Sequence, residues 1–401
     1  MKSNPDIVAP RRSNDTLGVY IHFPYCIHKC SYCDFYSVGM DRALNGEKNV
    51  TSKAIGEYMQ ALRLEFAARR QLFIQKQINT IFFGGGTASL LPAETIFAIL
   101  EMLRAEFSFS PEIEITLEGN PENFTPGYIA AIQDAGVNRI HVGIQSLRPH
   151  TLKQLDRYYD EERYAAIVQT LSDSAIANRG VDLMYGVPGQ AEDEFYQDLD
   201  TLLDTGISHV SLYSLTVEHG TPYDVMVRKG TAPAPNDELQ ANIFEYLPAR
   251  MRERGFIHYE VSNFGTPGNL SRHNLRYWLY EPTLALGPGA HGFNGTHRYA
   301  NVRNTPGWQT APTAAALDLH EPALELPLCF LRILLPMDRR DLEALIEAEV
   351  PGKSPAVMKL LESWTSLGFS SFDSAFQWNL NGLIRLNDRV IELQELLESN
   401  S

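Results

Sequence analysis

Six short apolar runs punctuate the first two-thirds of the chain, at 17–22, 80–83, 113–118, 139–144, 181–185 and 209–214. They are rich in Val, Ile, Phe and Tyr, the side chains that suit buried strands. Between them lie longer amphipathic stretches at 53–73, 92–107, 126–135, 161–172, 192–204 and 237–254. Several of these open on Pro or an acidic residue and close near Gly136, Gly206 or Gly255, as helices do. Strand alternating with helix six times predicts an α/β fold with a parallel sheet and right-handed crossovers. A partial, open barrel and a doubly wound sheet both satisfy this pattern. In either, chemistry gathers at the carboxyl ends of the strands, where Glu118, Gln145 and Asp182 stand.

Beyond residue 254 the rhythm changes. Residues 255–264 read as one more strand, and 262–312 as loop, with many Gly, Pro, Asn and His. From about 325 a second pattern begins: helix, helix, a hairpin turning at 379–382, and a final charged helix whose acidic face, 392–398, reads as solvated surface. Phe376, Trp378 and Leu380 alternate before that turn, with Ile384 and Leu386 after it. The expected organisation is a polar lead (1–16), an α/β core (17–264), a loop-rich connection (265–324) and a small winged-helix-like domain (325–401).

With 401 residues, 44% hydrophobic and 21% charged, the chain suits one large globular domain plus a smaller one. A net charge of −15 argues against a broad nucleic-acid footprint, which needs clustered Lys and Arg. The first sixteen residues hold no apolar stretch of signal-peptide length. No run reaches membrane-span length, and the most apolar stretch, 326–337, is broken by Arg332. The expected location is the cytoplasm, with no transmembrane segment and peripheral membrane contact left open.

Three of the four cysteines, Cys26, Cys30 and Cys33, fall in a CxxxCxxC directly after the first strand. So tight a group in a long chain reads as metal ligands in a reducing compartment. Three thiolates can hold three irons of a cubane cluster and leave the fourth without a protein ligand, whereas most electron-transfer clusters use four cysteines. A zinc site completed by His22 or His28 competes with this reading, but zinc sites more often pair CxxC with a second such pair. Loop packing, or hydrogen bonding to cluster sulfides, accounts for both histidines otherwise. Cys329 stands in an apolar stretch and reads as a small buried hydrophobe.

This strand–loop CxxxCxxC, with Tyr32 before the last cysteine, resembles the radical S-adenosylmethionine (SAM) superfamily. The next strand ends in Phe83-Gly84-Gly85-Gly86-Thr87, similar to the superfamily's glycine motif. The resemblance implies a [4Fe–4S] cluster on the three cysteines. Its open iron would be chelated by the amino and carboxylate groups of SAM, and an electron donor would reduce it. Within the superfamily, YIHFPYC, FFGGGTAS, LEGNPE, RIHVGIQSL, VDLMYGVPGQ, HNLRYW and GPGAHG resemble oxygen-independent coproporphyrinogen III dehydrogenase and its relative, the HemW-type heme chaperone. These stretches span 20–292. That resemblance implies a partial (β/α)6 TIM-like barrel.

By motif, Tyr20 would lie along SAM and Tyr32 against its adenine. Gly85, Gly86 and Thr87 would meet the methionine end, where glycines let backbone approach closely. Glu118 would accept hydrogen bonds from SAM, Gln145 and Arg157 would complete the pocket, with Arg157 on the carboxylate, and Asp182 would serve the ribose. Where the family reads Leu-Gly-Arg-x-His, this chain has Leu155-Asp156-Arg157-Tyr158-Tyr159. Two features favour the chaperone branch. The dehydrogenase's fourth cysteine is replaced by Phe35, and His273-Asn274-Leu275-Arg276-Tyr277-Trp278 matches the HNxxYW motif linked to heme. His273 would be an axial ligand, Asn274 would orient it, and Tyr277 and Trp278 would pack on the porphyrin. His291 is a second candidate ligand. The implied function is a heme chaperone that passes heme to an acceptor protein. The alternative is the dehydrogenase itself.

Overall fold

The computed structural model describes residues 8–40, 50–157, 161–319 and 321–399. Strands β1 (Thr16–Phe23), β2 (Gln77–Gly85), β3 (Phe109–Gly119), β4 (Arg139–Gln145), β5 (Asn178–Tyr185) and β6 (His209–Ser214) pair in sequential order, every pair parallel. Helices Ser52–Arg69, Ala93–Arg104, Pro126–Ala135, Glu161–Asp173 and Glu192–Leu203 fall between successive strands. Local chemistry sets their ends. Thr51 and Thr125 accept helix N-terminal amides, and Gly136 closes one helix in the left-handed region at φ 112°.

The strands are buried on both faces, but the faces differ. Side chains alternate across a strand. One set (Leu17, Val19, Ile21, Phe23; Ile81, Phe83; Ile115, Leu117; Ile140, Val142; Val181, Leu183; Val210, Leu212) joins the helices in the main hydrophobic core. The alternate set is polar or aromatic: Tyr20 and His22; Thr80 and Phe82; Glu114, Thr116 and Glu118; Arg139 and His141; Asp182; His209 and Ser211. The fold thus presents a polar inner face backed by an apolar outer one.

The sheet runs past these six strands. Beyond β6 lie antiparallel Asn263–Gly265 and Ile257–Glu260. Beyond β1 lie parallel Thr283–Leu286 and then antiparallel His291–Phe293, His297–Asn301 and Ala315–Leu319. Two expectations are corrected here. Residues 255–264 form two strands, because the Glu260 carboxylate accepts the Ser262 amide at 2.9 Å and turns the chain back. Residues 265–324, expected as loop, carry four strands continuous with the central sheet and helices Arg272–Trp278 and Thr305–Thr310.

The C-terminal segment packs helices Pro322–Phe330, Arg339–Glu349, Ser354–Ser366 and Leu386–Glu398 with a three-stranded antiparallel sheet. The hairpin joins Ser370–Phe372 to Ala375–Trp378, one step earlier than expected. Asn379 caps helix Leu380–Ile384, its side chain accepting the Gly382 amide at 3.0 Å. Not all of the acidic face is solvated: Glu392 accepts the Trp364 indole N–H at 3.0 Å and pairs with Arg389. The described part of the polar lead is strapped down, with Arg11 and Arg12 paired to Asp341 and Glu349. No helix among the described residues is long and apolar enough to cross a membrane.

Candidate functional site

The cysteine loop leaves the carboxyl end of β1, and its base is closed by parallel pairing of Tyr25–Cys26 with Val38–Gly39. Within it the Cys33 amide donates to the Cys30 carbonyl at 3.3 Å. Cys26 is buried; Cys30 and Cys33 are partly exposed. The Thr87 hydroxyl lies 3.5 Å from Cys26 Sγ, and Arg157 Nη1 lies 3.8 Å from Cys30 Sγ. Burial raises the Cys26 thiol and pushes Cys33 up to about 11. A bare thiolate is disfavoured here, and a positive centre is what would ionise the set.

Neither flanking histidine turns to the sulfurs. His22 bridges the Tyr20 hydroxyl (3.1 Å) and the Tyr36 carbonyl (2.8 Å), and burial lowers it to about 4. His28 pairs with Asp156 at 3.2 Å. Among the described residues, no three His, Cys, Asp or Glu side chains gather as a single metal ion requires. Sulfurs that each meet a different iron must stand apart, so this donor set, three thiols with no fourth protein donor among the described residues, fits a cubane with one open corner. It does not fit a closed zinc site.

The glycines of β2 serve this loop first. A Cβ on Gly85 (φ 112°) would lie 2.8 Å from the Phe23 carbonyl, and one on Gly86 would lie 2.7 Å from the Tyr25 carbonyl and 3.0 Å from Cys26 Sγ. Their bareness lets the amides of Gly86 and Thr87 bond to Phe23 and Tyr25 at 2.7 and 2.9 Å. Behind the loop, a Cβ on Gly287 would sit 2.3 Å from the His22 carbonyl, and one on Gly289 2.8 Å from Tyr36. The GPGAHG segment is thus a clamp on the loop, and His291 within it is exposed.

On the inner face the polar groups converge. A Cβ on Gly143 would lie 2.9 Å from Gln145 Nε2, 3.4 Å from Arg157 Nη2 and 3.8 Å from Asp182 Oδ2. Arg157 donates to the Gly143 carbonyl at 2.6 Å and to Asn120 Oδ1 at 3.1 Å. Gln145 sits at φ 69°, where non-glycine residues are uncommon, at an irregularity in the β4–β5 pairing that turns its side chain inward. Burial, with the Asp182 charge next, raises Glu118 to about 8. Burial likewise raises Tyr32, whose electrostatic neighbours include Arg157, Cys30 and Asp182. Tyr20 feels Glu118. The structure therefore brings Tyr20, Tyr32, Glu118, Gln145, Arg157 and Asp182 together beside the cysteine loop and Gly85-Gly86-Thr87.

Asp156 occupies the family's glycine position at φ 50°, a left-handed conformation that Asp tolerates better than most residues. Tyr158 and Tyr159 lie outside the described residues. Sequence reasoning missed Asn120, Gly143 and His141. All three were within reach, since Asn120 follows Glu118 by two, and His141 and Gly143 alternate with Gln145 toward the inner face.

The HNLRYW helix (Arg272–Trp278) approaches from the amino ends of the strands, and its Tyr277 reaches the electrostatic neighbourhood of Tyr20 and Glu118. Its contact Thr80 stands five residue steps along β2 from Gly85, about 17 Å of strand. Glu114 accepts the Arg272 and His273 amides at 3.1 and 3.0 Å. His273 is buried, stacked on Phe82, with Nδ1 2.9 Å from the Thr80 hydroxyl and Nε2 2.9 Å from the Tyr277 hydroxyl; burial lowers it to about 3. Thr80 and Tyr277 orient the ring, not Asn274 as expected, whose amide is capped by Ser271. Trp278 turns toward the C-terminal segment, under Arg332 at 4.6 Å. As folded, the four residues do not share one face. Arg276, unremarked in the motif, staples the sheet, reaching Thr16, Asn79, the Pro282 carbonyl and Glu281.

The radical SAM superfamily model matches residues 20–202. The heme chaperone HemW of Mycobacterium tuberculosis is 37% identical over 289 residues, 72% of each chain. The mouse mitochondrial radical S-adenosyl methionine domain-containing protein 1 is 37% identical over 287 residues, 71% of this chain and 62% of that one. In fold, the chain is similar to the coproporphyrinogen III oxidase HemN of Escherichia coli, with a TM-score of 0.72 at 17% identity, covering 98% of this chain and 91% of that one.

Proposed function

This chain belongs to the radical SAM superfamily and, within it, to the family of the HemW heme chaperones, and from that premise we propose that it binds a [4Fe–4S] cluster, SAM and heme and passes the heme to an acceptor protein. The observation that carries the proposal is the 37% identity over 72% of the chain to a heme chaperone. Phe35, exposed where the dehydrogenase has its fourth cysteine, supports it. HemN shares the fold at an identity too low to carry its activity.

Cys26, Cys30 and Cys33 hold the cluster and leave one iron for SAM. When bound, cluster and SAM supply one-electron chemistry. Around them Tyr20 and Tyr32 bound the pocket and Gly85-Gly86-Thr87 line the methionine end. Arg157, held by Asn120, meets the carboxylate, Gln145 completes the wall, and Asp182 takes the ribose. Glu118 accepts hydrogen bonds from the bound SAM. The six-strand unit is read as an open barrel around this polar face, 17–264 as the core, 265–324 as the connecting segment, and 325–401 as a winged-helix-like cover. An electron donor reduces the cluster, the setting is the cytoplasm, and nucleic acid is not a partner.

Heme is assigned to the region of His273, Asn274, Tyr277 and Trp278. Ligation through His273 Nε2 requires the Tyr277 hydroxyl to give way. Anaerobically reconstituted protein titrated with hemin, with and without SAM, should give a saturable Soret band at one heme per chain. Binding unchanged in His273→Ala would remove heme from this site, and no binding would remove the chaperone. Robust protoporphyrinogen formation from coproporphyrinogen III with SAM and a reductant would establish the dehydrogenase instead.

A further inference from the structure

The inner face carries an imidazole that no part of the cofactor reading uses. His141, on β4, places Nε2 2.6 Å from Asp182 Oδ1. Ser211 Oγ lies 3.2 Å from the same nitrogen. The ring meets His209 edge-on with centroids 5.4 Å apart, and His209 is itself tied to the Tyr259 hydroxyl at 2.8 Å. In the β4–β5 register His141 is opposite Gly180 and Gly143 opposite Asp182. To reach Asp182, the ring leans over Gly180, where a Cβ would sit 2.2 Å from Nδ1 and 2.7 Å from Cε1. No side chain fits at 180 while the imidazole lies there, so His141 and Gly180 are a matched pair.

An aspartate on a strand rotates about its terminal torsion with little resistance. Asp182 does not, because one oxygen is tied by a short hydrogen bond to His141. An ionised carboxylate only accepts, so His141 Nε2 carries the hydrogen. The other oxygen, Oδ2, is directed toward the space above Gly143, where Gln145 and Arg157 also arrive. We propose that His141 is a positioning residue: it holds Asp182 so that Oδ2 alone meets a vicinal diol, making recognition of the SAM ribose depend on a histidine and a glycine on neighbouring strands. The inference rests on the assignment of Asp182 to the ribose.

The test uses full-length, anaerobically reconstituted protein, following the change in the reduced cluster's EPR signal on adding SAM or its 2′,3′-dideoxy analogue. Wild type should prefer SAM. In His141→Ser, with cluster content retained, SAM affinity should fall about ten-fold, the scale of one lost charge-assisted hydrogen bond. Analogue affinity should stay constant, so discrimination collapses. His141→Gln, whose amide nitrogen can stand in for Nε2, should recover most of it. Gly180→Ala, which displaces the ring without removing it, should mimic His141→Ser and serves if that variant does not fold. Undiminished discrimination in both His141→Ser and Gly180→Ala would overturn the proposal while leaving Asp182 at the ribose. Undiminished discrimination in Asp182→Asn would remove Asp182 from the ribose and the proposal with it.

Discussion

Replacing Glu118 by Gln should abolish a pH dependence of SAM binding that the wild-type protein carries. Glu118 sits on the inner face with its carboxyl raised to about 8, first by burial and then by the Asp182 charge. In the free protein at neutral pH it is therefore largely protonated. In the proposed arrangement SAM brings a sulfonium and an amino group into this pocket, and a nearby positive charge favours the carboxylate. Binding must then release the Glu118 proton. If only the ionised form binds well, SAM affinity climbs about ten-fold per pH unit below 8 and levels off above it. Between pH 6 and pH 9 the change approaches ~100-fold, or about 2.7 kcal/mol. The ligand's own amino group adds a slope common to both proteins, so the quantity to read is the ratio of Glu118→Gln to wild-type dissociation constants. Equilibrium dialysis of reconstituted protein under anaerobic conditions at several pH values provides it. The ratio should widen with rising pH and flatten above 8. A constant ratio would show that Glu118 does not titrate on binding, and the reasoning from its burial would fail.

Gly86→Ala should place a methyl 2.7 Å from the Tyr25 carbonyl and 3.0 Å from Cys26 Sγ, so iron and sulfide per chain should drop sharply while the far-UV circular dichroism persists. Glu65→Gln should lower the melting temperature, at a cost of about 2–3 kcal/mol, because the carboxylate accepts from Arg69, Asn301, Gly287 and Trp308 and an amide must turn an N–H toward one of these donors. Acid should destabilise the protein early. His22 (about 4) and His273 (about 3) are lowered by burial, so the unfolded chain binds their protons first. Their contribution is complete above pH 6.5 and is lost at about 1.4 kcal/mol per pH unit for each as pH falls below it. Thermal melts from pH 8 to pH 4.5 read this directly, and a flat profile would contradict the buried, neutral rings.

The six strands and the helices between them were legible because periodicity and punctuation agree there: alternate apolar residues such as Leu17, Val19 and Ile21, and stops such as Gly136. The cysteine loop, Glu118 and Gln145 were legible because they end strands, whereas Asp182, expected at a strand end, lies in the middle of Asn178–Tyr185 and joins the others through the face it shares. What escaped was decided by single side chains acting on backbone. Glu260 folds 255–264 in two by accepting an amide two residues away, a feature no apolar pattern records. Asn379 and Gly382 suit both a hairpin turn and a capped helix; in the fold Asn379 caps a helix, and Gly382 lies against the Phe369 carbonyl, 2.1 Å from an added Cβ. The surroundings of His273 depend on Thr80, almost two hundred residues earlier in the chain.

Helix Arg272–Trp278 spans seven residues, too short to persist alone. Its Leu275, with the following Leu279, is embedded in the C-terminal core, while Arg276 and His273 are anchored to β1 and β2. Fraying at one border leaves it held by the other. The amide protons of this turn should therefore exchange with solvent only when both halves of the molecule loosen together. Access to the imidazole inside it is a property of the whole chain's cooperativity, so substitutions remote from this helix can change how readily it opens.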